Sequence, residues 1–432
     1  MVLKNGGVKV RLYFTGMRCF ANLRLLSLTN LLGRCAICVW LSLNYVQSVD
    51  MYVSPKMSAR DSRDLRTEDF LRREQLYNAS VRILHKCSSW INEYAEFHKE
   101  AIKSESVKFM LYSCSGTSSR YCAGVGDRMR AMMETVKLAK HSQRAVLFQW
   151  DFPAALEIAL QPNLLDWRVK PKYELDKITD RLDLGWSTWM PWNESQRDPP
   201  VLRDGTLASQ EERLISLSTN IDDRKGGLPG PKLGSLESSD RSCLFQTLFQ
   251  PSDILQEQIS SLRKELFGSK DAPYVAAHLR MGMFEGEMKT IERFRQVDGL
   301  TAVISCARDL ATSLGITASV LLLTDNYMLR EHVSAGMFTG FVTTPYPAIH
   351  VQMTGATDVT KLAMLTSFLD LGMLAESRCL IGSDSGFTRV ARLWGRHNCT
   401  LNVEQCIAFY AAPRIHHVNR SQGDWRGHKA FF

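Results

Sequence analysis

VKFMLYSCSGTSSRYCAGVGDRMRAMMETVKLAKHSQRAVLFQ, residues 107–149, decides how the rest of the chain reads. Val107–Tyr112 is a short apolar run of the kind a buried strand needs. A stretch rich in Gly and Ser follows, from Cys114 to Arg128. Met129, Met132, Val136 and Ala139 then fall on one face at helical spacing. Ala145–Gln149 is a second apolar run. Strand, loop, helix, strand is the grammar of a parallel βαβ unit.

The alternation resumes further on. The spacing predicts helices over 254–266, 300–314, 361–375 and 386–394, and strands over 274–279, 318–323 and 379–381. That is a second parallel α/β unit. Two such units leave a cleft at the carboxyl ends of their strands, where open α/β sheets bind ligands. The expected fold class is therefore α/β. Its first domain covers 105–262 and its second 263–432, preceded by a linker and helical stem over 47–104. The stem spacing also suits a helix packed on the domain. Between the units, residues 168–240 carry WSTWMPWNES, RDPP and GGLPGPKLG, which read as an insertion of surface loops.

The formal net charge is +8, but eight basic residues and one acid, Asp50, lie in residues 1–60. The body is nearly neutral, which removes the basis for a nucleic-acid partner. Leu25–Val46 is mostly apolar and follows five basic residues with no acid. It reads as a signal anchor or a cleavable signal peptide, with residues 1–24 cytosolic and the remainder translocated. Asn30 and Arg34 interrupt its apolar run. Of 11 cysteines, the eight beyond this front end are Cys87, Cys114, Cys122, Cys243, Cys306, Cys379, Cys399 and Cys406. An even number suits an oxidising compartment, although free buried thiols are the alternative. Asn78, Asn193, Asn398 and Asn419 begin glycosylation sequons, which points the same way.

Four sites have residue types suited to chemistry. Gly124, Gly126, Asp127 and Arg128 stand between a strand and a helix start, where backbone N–H groups favour anions; a tight turn is the plain alternative. His278 and Arg280 end a strand, and a strand-end Arg has a fork that matches a diphosphate. Glu285 and Glu287 follow in a loop as candidate general bases. Thr324–Asp325 ends the next strand, where the carboxylate would accept from guanine N1 and N2 hydrogens or simply cap a helix. Ser383, Asp384, Ser385 and Gly386 form a turn before a helix, which suits a phosphate nest or an N-cap. There is no D-x-D motif and no Cys/His cluster with zinc spacing, so no metal and no cofactor are expected.

Taken in order, these features resemble the GDP-fucose-dependent fucosyltransferase superfamily of α1,2-, α1,6- and protein O-fucosyltransferases. The resemblance runs through Cys122–Pro153, Gln161–Trp167, Leu248–Ser252, His278–Arg280, Thr324–Asp325 and Ser383–Phe387, and spans roughly residues 107–411. It implies a metal-independent, inverting transferase of two Rossmann-like domains facing a cleft (GT-B), with the donor in the second. Arg280 would hold the diphosphate and stabilise the leaving group. His278 and Asp325 would meet guanosine, Ser383–Gly386 phosphate, and Gly124–Arg128 phosphate or acceptor. The implied partners are GDP-fucose and a glycan or glycoprotein acceptor, at a Golgi or ER membrane with the catalytic part lumenal. Met281-Gly282-Met283 departs from the Arg-Thr-Asp that follows the His-x-Arg motif in the α1,6 group. Glu287, nine positions past His278, is preferred over Glu285 as base. A non-catalytic glycan- or nucleotide-sugar-binding protein of the same fold is the alternative, and a transferase using another nucleotide sugar is a third reading.

Overall fold

The computed structural model describes residues 13–14, 17–18, 87–115, 122–186, 209–220, 238–281, 297–347, 358–397 and 399–410. The chain divides into Met1–Asp69 and Phe70–Phe432. Of the first unit only an antiparallel pair, Tyr13–Phe14 with Met17–Arg18, is described. The expected anchor at 25–46 and all four sequon asparagines lie outside the described residues. Among the described residues no helix is long and apolar enough to cross a membrane.

In the second unit the elements run α1 (Ser89–Ala101), β1 (Phe109–Cys114), α2 (Val125–His141), β2 (Ala145–Trp150), β3 (Leu160–Pro162), β4 (Arg181–Trp186) and β5 (Leu214–Thr219). They continue with α3 (Ser238–Leu248), β6 (Phe249–Pro251), α4 (Asp253–Phe267), β7 (Val275–Leu279), α5 (Val297–Ser313), β8 (Val320–Thr324) and α6 (Tyr327–Ser334). The last are β9 (Phe341–Val342), α7 (Asp358–Ala375), β10 (Cys379–Gly382), α8 (Gly386–Gly395), β11 (Thr400–Asn402) and α9 (Val403–Tyr410).

Two parallel sheets result. The first has the order β2-β1-β5-β4, with Phe109 opposite both Ala145 and Leu214. The second has the order β9-β8-β7-β10-β11. In the second sheet the chain first builds outward from β7 through β8 to β9, then returns to the other side of β7 with β10. The crossovers on the two sides diverge there, which opens a crevice between the ends of β7 and β10. A short antiparallel pair, β3 with β6, stands apart from both sheets.

β4 and β5 lie inside the stretch read from sequence as loop insertion, 168–240, so that reading is corrected at Arg181–Trp186 and Leu214–Thr219. LISLST is buried at every position, and its serines broke the apolar signal. The reading of a stem is also settled for residues 89–101. Tyr94 donates to the Arg144 carbonyl at 2.9 Å, and His98 Nε2 lies 2.9 Å from the Val146 carbonyl, so α1 is packed on β2.

One core joins both sheets. It takes Met110 and Tyr112 from β1, Met129 and Val136 from α2, and Phe368 and Leu374 from α7. The Trp150 and Phe368 ring centroids are 6.0 Å apart, and Phe245 of α3 stacks on Trp394 of α8 at 5.8 Å. From Ala363 to Ala375, α7 is mostly apolar and is buried or half-buried at every position. All eight cysteines beyond the front end are paired: Cys87–Cys243, Cys114–Cys122, Cys306–Cys406 and Cys379–Cys399.

Candidate functional site

The ends of β7, β8 and β10 converge on a cavity of about 170 Å³ at the crevice in the second sheet. Its wall includes His278, Arg280, Thr324, Asp325, Ser385 and Gly386, closed on the other side by Gly124–Asp127. Residues scattered over more than 250 positions are brought together because parallel strands deliver all their carboxyl ends to one edge.

His278 is the penultimate residue of β7 and is buried. Its Nδ1 lies 2.7 Å from the Thr388 hydroxyl. Burial, and then the positive charge of Arg280, Arg330 and Arg392, push its pKa down to about 3. It is a neutral imidazole at physiological pH. Phe387 flanks the ring at a centroid distance of 5.2 Å.

Arg280 emerges just past β7, where its backbone N–H donates to Ser383 Oγ at 3.0 Å. Its Nη1 pairs with Asp325 Oδ2 at 2.7 Å, and Asp325 Oδ1 accepts from the Met281 N–H, also at 2.7 Å. Asp325 is thus engaged at both oxygens and holds the guanidinium and the chain after it. Helix capping at this strand end is done by Asn326, whose side chain accepts from the Leu329 N–H at 3.0 Å.

The serine turn divides its labour. Ser383 Oγ spans the gap between strands by accepting from Arg280 N and lying 3.3 Å from the His278 carbonyl. Ser385 caps α8, accepting from the Thr388 N–H at 3.1 Å. Asp384, expected to meet the donor, is turned away: it is exposed, it pairs with Arg389 (Nε to Oδ1, 3.1 Å), and it is not on the cavity wall.

The glycine loop meets this turn head-on. A Cβ on Gly126 would lie 2.5 Å from Phe387 N and 2.7 Å from Gly386 O. Only glycine permits this approach, which sets the N-termini of α2 and α8 against each other at the cavity. Each helix end brings a partial positive charge of about half an elementary unit to the cavity. Arg128 does not share in it. It is buried, donates to the carbonyls of Ala123 (2.9 Å) and Phe152, and lies over the Trp150 ring at 4.7 Å. Burial pushes its pKa down to about 10. It braces the loop from behind rather than facing a ligand.

Sequence reading missed a second ion pair in the wall. Arg330, on α6, donates to the Thr324 carbonyl at 3.2 Å, to Thr344 Oγ1 at 3.1 Å, and to Asp370 Oδ2 at 2.5 Å. Thr344 closes the triangle on Asp370 Oδ1 at 2.7 Å. A signal for Asp370 was present, since it is an acid inside the otherwise apolar run of α7. Arg330 had no such signal. Glu285 and Glu287 lie outside the described residues. Among the described residues no group of three or more His, Cys, Asp or Glu side chains is arranged to hold a metal ion.

No family model and no curated protein matches this chain. Solved structures do. A mutant of FUT1 from Arabidopsis thaliana, in complex with GDP, is similar over 72% of this chain and 79% of that one, at 13% identity and a TM-score of 0.44. The fucosyltransferase NodZ from Bradyrhizobium is similar over 66% of this chain and 92% of its own, at 15% identity and a TM-score of 0.43. POFUT1 in complex with GDP-fucose is similar over 69% and 98% respectively, at 12% identity and a TM-score of 0.44.

Proposed function

We propose that this chain is an inverting, metal-independent fucosyltransferase that moves fucose from GDP-fucose to a hydroxyl of a glycan or glycoprotein, with its two sheets in a GT-B arrangement. The observation that carries the reading is the cavity at the crevice of the second sheet, where Arg280, held by Asp325, faces the joined N-termini of α2 and α8. Breaking the fucosyl–phosphate bond builds negative charge on the β-phosphate. A guanidinium and two helix ends, fixed before the reaction, stabilise that charge without reorganisation. In this reading Asp325 and Asp370 offer carboxylate acceptors for the guanine N1 and N2 hydrogens, and neutral His278 adds no charge beside the base. The ordered motifs that resemble the fucosyltransferase superfamily supply the identity of the sugar.

We also place the protein in the Golgi or ER lumen, anchored through residues 25–46. The complete pairing of the eight cysteines beyond the front end supports this, because disulfides persist in oxidising compartments.

The test is calorimetric titration of protein from a secretory host with GDP and GDP-fucose in EDTA, beside Arg280→Ala. The expected outcome is GDP binding without metal that falls about 30-fold or more in the variant, the usual loss when one side of a buried charge pair is removed. Unaltered GDP affinity in the variant would sink the donor-site reading.

A further inference from the structure

Three acids, Asp127, Asp325 and Asp370, line the cavity among the described residues, and their commitments differ. Asp325 is engaged at Oδ1 by the Met281 N–H and at Oδ2 by Arg280. Asp370 is engaged at Oδ1 by Thr344 and at Oδ2 by Arg330. Asp127 is held through Oδ1 alone, by Arg130 Nη2, and 27% of its side chain remains exposed. Its other oxygen, Oδ2, accepts no hydrogen bond from a described residue.

We propose that Asp127 is the general base of the transfer, acting through Oδ2. The inference rests on the fucosyl-transfer reading above. Asp127 comes from the first sheet's side of the cavity, across from the strand ends of β7 and β8 that carry Arg280 and Asp325. A base must stand on the acceptor's side, so that the proton leaves as the hydroxyl attacks opposite the departing phosphate. Arg130 serves it in two ways. Its Nε is fixed to the Gly126 carbonyl at 3.1 Å and its Nη2 holds Oδ1, so it orients the carboxylate with Oδ2 left toward the cavity, and it balances the carboxylate's charge. The charged and titratable groups around Asp127 include Arg130 and the buried Arg128 on its own helix, Tyr112 behind the loop, and, across the cavity, His278 and the pairs Arg280–Asp325 and Arg330–Asp370. The α8 end presents Ser385, Gly386 and Phe387, none of which titrates.

The step balances. The acceptor oxygen forms a bond to fucose C1, and the C1–O bond to the β-phosphate breaks with its electron pair going to GDP. The hydroxyl proton passes to Asp127 Oδ2 and then to solvent. With water as acceptor the same step is donor hydrolysis, which needs no identified glycan.

The experiment compares wild type, Asp127→Asn and Asp127→Glu in GDP release from GDP-fucose, with GDP affinity by calorimetry and the thermal midpoint as controls. Asp127→Asn is expected to lower turnover about 100-fold or more, in line with the contribution of a positioned base. Its GDP affinity and thermal midpoint stay near wild type, and Asp127→Glu or added formate restores part of the rate. Turnover by Asp127→Asn within twofold of wild type would overturn the base assignment and leave the fucosyltransferase reading standing. Loss of GDP affinity parallel to turnover would also overturn it, by moving Asp127 to donor binding. A wild-type protein that binds no GDP-fucose, or binds it without turnover, would overturn both readings.

Discussion

The two arginines in the cavity wall are held by their own aspartates. Arg330 and Asp370 are both buried, with side-chain exposures of 7% and 10%. Replacing Arg330 by Met keeps the volume but leaves the Asp370 carboxylate with only Thr344 for company. The expected loss of stability is about 3–5 kcal/mol, measured as a shift in urea unfolding, because the surviving charge is buried and uncompensated. Arg330→Met/Asp370→Leu should recover most of that loss, since an apolar pair of similar size removes the orphan charge. The double variant is expected to stay weak in GDP binding, which separates folding from donor recognition. The Arg280–Asp325 pair differs: Arg280 is 26% exposed and opens on the cavity. Its removal is expected to cost binding more than stability.

At the scale of elements, the site is made where two helices begin. α2 and α8 follow strands of different sheets and meet N-terminus to N-terminus through Gly126 and Gly386. A methyl on Gly126 would meet backbone atoms of Gly386 and Phe387, which no side-chain rotation can relieve. Gly126→Ala is therefore expected to destabilise by about 1–3 kcal/mol in chemical unfolding, the usual cost of overpacking. It should also weaken GDP binding, because parting the two helix ends separates the partial charges that would share one phosphate group. A substitution that left both unfolding and binding unchanged would show that the helix ends are not in contact in solution. One disulfide reinforces this edge: Cys114–Cys122 ties the end of β1 to the residue two before Gly124, whereas Cys379–Cys399 joins the amino ends of β10 and β11 at the opposite edge of the second sheet.

At the scale of the whole molecule, three buried histidines among the described residues couple stability to pH: His98, whose pKa burial lowers, His278 and His397. His278 is held down to about 3 and His397 to about 4, each chiefly by burial. In the unfolded chain all three titrate near the ordinary value of 6.5. Between the folded and unfolded values the unfolded state binds more protons, so stability rises with pH in that window. It is fully present above about 6.5 and is lost as pH falls toward 4, with a slope of up to about 1.4 kcal/mol per pH unit for each histidine. Urea midpoints taken from pH 8 to pH 4 are expected to fall below pH 6.5, and to fall less steeply in His278→Asn. A flat profile would mean that these rings reach water.

Much of this protein was legible in its residues. Apolar runs of strand length, alternating with helical faces, determined two parallel α/β units, and the cysteines beyond the front end supplied a set that pairs completely. His278, Arg280, Asp325 and Ser385 were legible as site candidates because each stands where a strand hands over to a loop or helix, which local pattern marks. The tertiary structure decided what such pattern does not hold. β5 was hidden because two of its six positions, Ser216 and Ser218, are serines that interrupt the apolar run, and its strand character comes from pairing with β1 and β4. Arg128 and Asp384 stood in promising motifs but turned away, one under Trp150 and one toward Arg389, because side-chain direction depends on neighbours distant in the chain. Arg330 and Asp370 entered the wall for the same reason. Residues 40 positions apart meet only after β8 and α7 are packed, and burying a charge there selects the partner that neutralises it.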